Sequence, residues 1–341
     1  MNQLVGEAFQ AEHLLLAVAQ TPIHAGAGPS TQPLDLPVQR SAISGFPLLR
    51  GSELRGSLAQ QLFERYKGFH LWKRLIELVF GFAGEKARAG SFDVLDAHIL
   101  LFPVPSLYGV YAYVTCPLLL YHFSLRASKV AIDLAKVAGE LAESHSKMLS
   151  EHKVVVEKES SIVGEDGTVY LHPLLRFKVE RDKRLDNLSN LLAGRLESLG
   201  LEVRGHLALL DDDPASYTIR HSMIPQPRVR LDYKTKTVST GLWQEELVPR
   251  YTIFHTSIII PKGKRFYLEV SRKEGSELER LVTEPRLSTL ELTKAEGDRV
   301  WRLEFKPSKL LEFLLPNGKT SLFLGGDITV GRGLLRLVRV G

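Results

Sequence analysis

The chain is expected to adopt a ferredoxin-like α+β fold, on three observations from its first 145 residues. An apolar, β-tolerant run, His13 to Thr21 (HLLLAVAQT), ends at a proline as a buried strand does. An amphipathic helix follows over GSELRGSLAQQLFERYKG. The segments LDAHILLFPV and VYAYVT, separated by the turn-rich PSLYG, then form a pair of strands ahead of a second helix. Strand, helix, strand, strand, helix is the opening order of that fold.

Each element has a local reason. In the first helix Leu54, Leu58 and Leu62 recur at steps of four, Ala59, Phe63 and Tyr66 join them, and Ser52 is available as N-cap. The second helix, within SKVAIDLAKVAGELAES, keeps helical spacing at Val130, Leu134, Val137 and Leu141. Residues 22–47 are rich in Pro, Gly, Ser and Thr, and a loop that long in a compact domain is functional or disordered. From Glu151 the strand-like pieces VVVEK and GEDGTVYLHP precede a Leu-rich helix around Leu185, Leu188, Leu192 and Leu196. PQPRVRLDYKTKTVSTGLWQEELVP reads as a long hairpin or arm, YTIFHTSIII and KRFYLEVS as strands, and PSKLLEFLL as a short helix. The chain closes on GGDITVGRGLLRLVRVG, a Gly-rich turn feeding a basic strand. With no repeat of fixed period, one elaborated domain over residues 1–341 is expected. Its parts are 13–145, an insertion over 146–215, the arm over 216–250 and the remaining core over 251–341.

Composition bounds the function. Of 341 residues, 44% are hydrophobic and 24% charged, the profile of an ordinary globular protein. The net charge of +5 permits a polyanionic partner without requiring one. The first residues carry acids where a signal peptide needs bases, and no apolar run reaches the roughly 18 residues of a membrane span, so a cytoplasmic protein without membrane contact is expected. The single cysteine, Cys116, excludes an internal disulfide and a multi-cysteine zinc site. There is no G-x-S-x-G, no complete Walker G-x-x-x-x-G-K-[ST] and no H-E-x-x-H, which removes most hydrolases, nucleotidases and zinc enzymes. GGDITVGRG runs straight into the last strand, so it reads as a loop for close backbone approach rather than a dinucleotide fingerprint.

The basic charge gathers in three islands. One lies between Arg50 and Arg74, one between Arg220 and Lys236, and one comprises Arg332, Arg336 and Arg339. Any one of them reads as a solvated face. Their coincidence with Gly-rich loops, where backbone N–H groups can reach a phosphate, suits a groove that tracks a nucleic-acid backbone.

The series TPIHAGAG, LDLPVQR, GFPLLRGSELRGSL, VFG, LDAHILLFPVPSLYGVYAYVTCP, LWQEELVP and GGDITVGRG, in that order from Thr21 to Arg336, resembles the RAMP superfamily of CRISPR-associated proteins. More narrowly it is similar to the multi-copy backbone subunit of the type III-B Cmr effector complex. Residues 151–215 carry no matching motif. The resemblance implies an RNA-recognition-motif-like core with an extended thumb hairpin. Copies of such a subunit stack along a CRISPR RNA beside other subunits and cut complementary target RNA at regular intervals. A divalent metal ion, Mg2+ or Mn2+, is implied, bound with RNA present. The implied catalytic and metal-binding aspartate is Asp35, the matching loop histidine is His24, and the acid at the thumb base is Glu245. Two positions depart from the family pattern: Leu247 replaces an aromatic residue and Pro105 replaces an arginine.

The residues also carry a reading of their own. In-line attack of a 2′-OH needs a base near that proton and positive groups near the phosphorane, which Asp35 with Gln39 and Arg40 would supply. The plain alternative is that Asp35 caps a turn before Pro37. His24 would serve as general acid, as a structural hydrogen-bonder or as a phosphate contact. Glu245 and Glu246 face opposite ways in a strand, so only one can point at RNA. For guide binding, Ser52 and Arg55 sit in the first turn of a helix, Gly325 and Gly326 let the final loop approach, and Arg228, Arg230 and Arg332 supply charge. Met223, Ile224 and Pro225 would wedge between bases or pack on a neighbouring subunit. Asp211 to Asp213 read as a solvated cap. Two further readings stay open: a non-catalytic RNA-binding scaffold of a related effector complex, and a metal-independent guide-processing ribonuclease that uses His24.

Overall fold

The computed structural model describes residues 9–29, 34–68, 72–82, 88–145, 152–262, 267–271, 279, 290–295, 300–305 and 307–340. Strand β1 (Phe9–Ala19) is the axis of the fold. It is hydrogen-bonded on one side to Ile253–Pro261 and on the other to Leu334–Arg339, both antiparallel. Leu14 to Ala19 are completely buried, and alternate residues feed two separate cores. Leu15, Ala17 and Ala19 enter one; Leu14, Leu16 and Val18 enter the other. A strand covered on both faces has no polar face to show, and this is why the run reads as continuously apolar.

Helix α1 (Gly51–Tyr66) buries Leu54, Leu58, Leu62 and Tyr66. Ser52, expected as N-cap, instead lies exposed inside the first turn, and Arg50 occupies the cap position without a capping side chain. The Gly51 N–H is satisfied from elsewhere in the chain, donating to Asp96 Oδ1 at 2.8 Å. Helix α2 (Trp72–Phe80) follows. Strands β2 (Ala97–Pro105) and β3 (Tyr111–Thr115) form the expected antiparallel pair. The helix expected after them is two helices. α3 (Pro117–Ala127) comes first, and α4 (Ile132–His145) starts two residues beyond Val130, which lies in the connection.

Residues 152–209 extend the sheet. Strands β4 (Lys153–Val156), β5 (Thr168–Leu171) and β6 (Leu175–Arg181), helix α5 (Lys183–Leu196) and strand β7 (Leu207–Leu209) lie beyond β3. Helix α6 (Asp212–His221) precedes the thumb, so residue 216 falls within a helix and the hairpin itself is β8 (Ile224–Leu231) and β9 (Val238–Leu247). Of the acidic run, Asp212 accepts the Leu118 N–H at 2.9 Å and so caps α3. Then come β10 (Ile253–Pro261), the separate sheet of β11 (Tyr267–Ser271), β12 (Leu290–Ala295) and β13 (Val300–Phe305), helix α7 (Pro307–Leu314), and β14 (Lys319–Phe323) with β15 (Leu334–Arg339). The start of the KRFYLEVS strand and residue 146 lie outside the described residues. The main sheet runs β14-β15-β1-β10-β2-β3-β7-β4-β6-β5, with short strands Leu48–Leu49 and Asp93–Val94 at its side. α3, α4 and α5 supply one core, while α1, α2 and α7 supply the other.

His255 of β10 is fully buried beside His98, and neither of its ring nitrogens has a hydrogen-bond partner. Burial first, and then the nearby Arg126, push its pKa well below 6.5; burial likewise lowers His98 and takes His13 to about 4. These rings are neutral in the fold and protonate more readily in the unfolded chain. Their contribution is therefore intact above about pH 6.5 and is lost as pH falls below it. His255→Phe is expected to hold or raise the thermal midpoint at pH 7, and to lose less than wild type between pH 7 and 5. Parallel pH profiles for the two proteins would contradict this account.

Candidate functional site

The long loop expected to be functional or disordered is pinned to the base of the thumb. Ile23 and Val248 exchange both backbone hydrogen bonds at 2.9 Å. Ala27 donates to the Pro37 carbonyl at 2.9 Å and Gln39 to the Ala25 carbonyl at 2.8 Å, pairing the two arms of the loop. Leu36 then zips onto β9: its N–H donates to the Gln244 carbonyl at 3.1 Å, and its carbonyl accepts the Glu246 N–H at 3.0 Å. Asp35, one residue earlier, is exposed, and its Oδ2 accepts the Gln244 N–H at 2.8 Å. It caps across to the thumb rather than within its own turn.

His24 is turned inward, 9% exposed. Its Nδ1 lies 2.8 Å from the Glu246 carbonyl, which can only accept, so Nδ1 donates in this contact. Nε2 lies against Gly26, where a Cβ would stand 2.9 Å away. The C-terminal glycine loop closes over the same residue: Gly326 N–H donates to the His24 carbonyl at 3.1 Å, and Gly333 N–H to the Pro22 carbonyl at 2.9 Å. Gly325 has φ +84, and a Cβ there would fall 2.2 Å from the His24 carbonyl oxygen. Gly325→Ala is expected to cost about 2–3 kcal/mol, read as a lowered denaturant midpoint with an unchanged m-value.

The thumb base and this loop are locked by an ion cluster. Glu245, 5% exposed, accepts from the Trp243 indole at 2.9 Å and pairs with Arg228 at 3.1 Å and Arg332 at 2.6 Å. Asp327 pairs with the same arginines at 2.6 and 3.0 Å, and Arg332 also reaches Gln226 at 2.7 Å. Burial alone would raise the Glu245 carboxyl, but the Trp243 and Arg332 hydrogen bonds outweigh it and hold its pKa at about 2. Two acids balance two arginines, so the cluster is a neutral clamp, and Glu245 stays ionised throughout the neutral range.

The other expected site residues divide between this region and the interior. Gln39 donates to the Gly26 carbonyl and to Glu53, both at 3.0 Å, and Arg40 pairs with Glu246 while donating to the Gly45 carbonyl at 3.2 Å. Ser52 is exposed at the helix start. Arg55 is turned onto the Phe80 carbonyl and lies over the Phe80 and Phe92 rings. Ile224 and Arg230 are exposed on β8. Met223, offered as part of an apolar wedge, is 6% exposed and packs in the core, because α6 ends just before it and turns it inward. Sequence reasoning weighed Glu246 only as the alternative to Glu245, and missed Asp327, Trp243 and Gln226. The alternation that separates Glu245 from Glu246 was the available signal, and it applies to both residues.

The donor set does not by itself fit a resident divalent ion. Among the described residues no three His, Cys, Asp or Glu side chains converge on a cation position. One Asp35 oxygen is engaged by Gln244, and Glu245 and Glu246 are each paired to arginine. No helix among the described residues is long and apolar enough to cross a membrane.

A ferredoxin-like α+β core that carries a two-stranded thumb, with the loop bearing Asp35 and a C-terminal glycine loop gathered at the thumb base, defines the class of this protein. The chain belongs to the RAMP superfamily, whose family model matches residues 17–336. It is 32% identical over 254 residues to the CRISPR system Cmr endoribonuclease Cmr4 of Pyrococcus furiosus, spanning 72% of this chain and 80% of that protein. It is 26% identical over 266 residues to the CRISPR system CMR subunit Cmr4 of Saccharolobus solfataricus, spanning 72% and 83%. Its fold matches a chain of the type III-B Cmr-beta complex bound to cognate target RNA, with a TM-score of 0.67 and 20% identity over 97% of this chain and 98% of that one. Oligomeric Cmr4 from Pyrococcus furiosus matches with a TM-score of 0.58 and 23% identity over 97% and 99%.

Proposed function

We propose that this chain is a backbone subunit of a type III-B CRISPR ribonucleoprotein. Further copies of it, with other subunits, bind CRISPR RNA and cut complementary target RNA at regular intervals. The observation that carries the reading is the exposed Asp35 carboxylate on a loop zipped to the base of the thumb. One carboxylate oxygen is held by the Gln244 N–H, and the other accepts the proton of a target 2′-OH. The O2′–P bond forms as the P–O5′ bond breaks, leaving a 2′,3′-cyclic phosphate and a 5′-hydroxyl that takes its proton from water. His24, wrapped by Gly26 and Gly326, orients the loop. A Mg2+ or Mn2+ ion beside Asp35 would draw most of its ligands from RNA phosphates, since the described residues offer it one carboxylate there.

The test is cleavage of a complementary RNA by the guide-loaded complex, in magnesium and in EDTA, with analysis of the product ends. Cuts at a fixed spacing with cyclic phosphate ends support the reading. The scaffold reading is favoured by one observation: Leu247, standing where the family pattern has an aromatic residue, is buried at 1% exposure. Full target binding by wild type without any cut would establish it instead.

A further inference from the structure

Nothing in the family pattern singles out Glu246, yet its main chain and its carboxylate are both engaged at the thumb base. We infer that Glu246 is the positioning residue that holds both the His24 segment and the Asp35 loop in working geometry, an inference that rests on the ribonuclease reading above. The residue is 4% exposed. Oε2 accepts the Val38 N–H at 3.0 Å, and Oε1 pairs with Arg40. Its own N–H donates to the Leu36 carbonyl at 3.0 Å, and its carbonyl accepts a hydrogen bond from His24 Nδ1 at 2.8 Å. Four bonds from one residue thus reach both arms of the loop.

The arrangement is specific to the side chain. Val38 is 2% exposed, so without Oε2 its N–H is a buried donor with nothing to meet. Leu36 and Val38 are the two anchors immediately after Asp35, one through the Glu246 main chain and one through its carboxylate. Strand alternation sends Glu245 to the opposite face, into the Arg228 and Arg332 cluster. The pair of glutamates therefore has a division of labour: Glu245 ties the thumb to the C-terminal glycine loop, and Glu246 ties it to the loop carrying Asp35.

The test compares wild type, Glu246→Ala and Glu246→Gln in the guide-loaded complex, by single-turnover cleavage and by target affinity. Hydrogen exchange of the 34–40 peptide is followed in the same preparations. A loop displaced by about 1 Å lowers the cleavage rate by about 100-fold for Glu246→Ala, with affinity within about twofold of wild type and faster exchange over 34–40. Glu246→Gln keeps an acceptor for Val38 but loses the charge opposite Arg40, so it retains exchange protection and cleaves about tenfold more slowly. Were the alanine chain not to assemble, the isosteric glutamine variant carries the test alone. Cleavage by Glu246→Gln equal to wild type overturns the inference, as does a loss of Glu246→Ala activity matched by an equal loss of target affinity. A wild-type complex that never cuts refutes the ribonuclease reading itself, and the exchange data still decide whether Glu246 holds the loop.

Discussion

Asp35→Ala is expected to lower cleavage of complementary RNA by about 10³-fold in the guide-loaded complex while the target stays bound. The size of the effect follows from the placement of the side chain. Asp35 is exposed, and among the described residues it makes one hydrogen bond, accepting from the Gln244 N–H. Its loss costs about 1 kcal/mol or less of stability, because Leu36 and Val38 still pin the loop. Asp35→Asn sharpens the comparison: the amide oxygen keeps the Gln244 bond, so the loop is unchanged, but the base is gone. Both variants are expected to be equally inactive, with regular cuts lost and affinity within about threefold. If Asp35→Asn cuts at the wild-type rate, the proton acceptor lies elsewhere and this chain is the scaffold on which another subunit works.

The fold was largely legible because its signals are local. Leu14 to Ala19 lie in a strand covered on both faces, and that environment writes itself as an unbroken apolar run. The four-residue leucine spacing of α1 likewise records one buried face. Where the sequence misled, the deciding partner was distant. Ser52 looked like a cap, but the Gly51 N–H is met by Asp96, 45 residues away. Arg228 and Arg332 looked like free cations because a charge window cannot see Glu245, which is 17 and 87 residues from them. Met223 looked like a wedge with Ile224 because a wedge and a core plug share one composition, and only the end of α6 distinguishes them. The two glutamates were legible as a pair facing opposite ways, while the partners that give each its task come from loops distant in the chain.

Those distant partners set the largest stability effect. Arg332, 8% exposed, joins the C-terminal glycine loop to both strands of the thumb through Glu245 and Gln226, and pairs with Asp327 of its own loop. Arg332→Met fills much of the same space without the charge, and leaves Glu245 and Asp327 sharing Arg228 alone. Breaking a buried pair on one side costs about 3–5 kcal/mol, and the remaining arginine places this case at the lower end, about 3 kcal/mol at pH 7. The pH dependence has a definite sign. Glu245 titrates at about 2 in the fold against 4.5 ordinarily, with Arg332 among the groups that hold it down. Its contribution is present above about pH 4.5 and disappears as pH falls through about 2. The gap between wild type and Arg332→Met, measured by denaturant midpoint, should therefore be widest at neutral pH and close steadily below pH 4.5. A gap under about 1 kcal/mol, unchanged between pH 7 and 3, would mean that water screens the cluster and the backbone ladder alone holds the thumb.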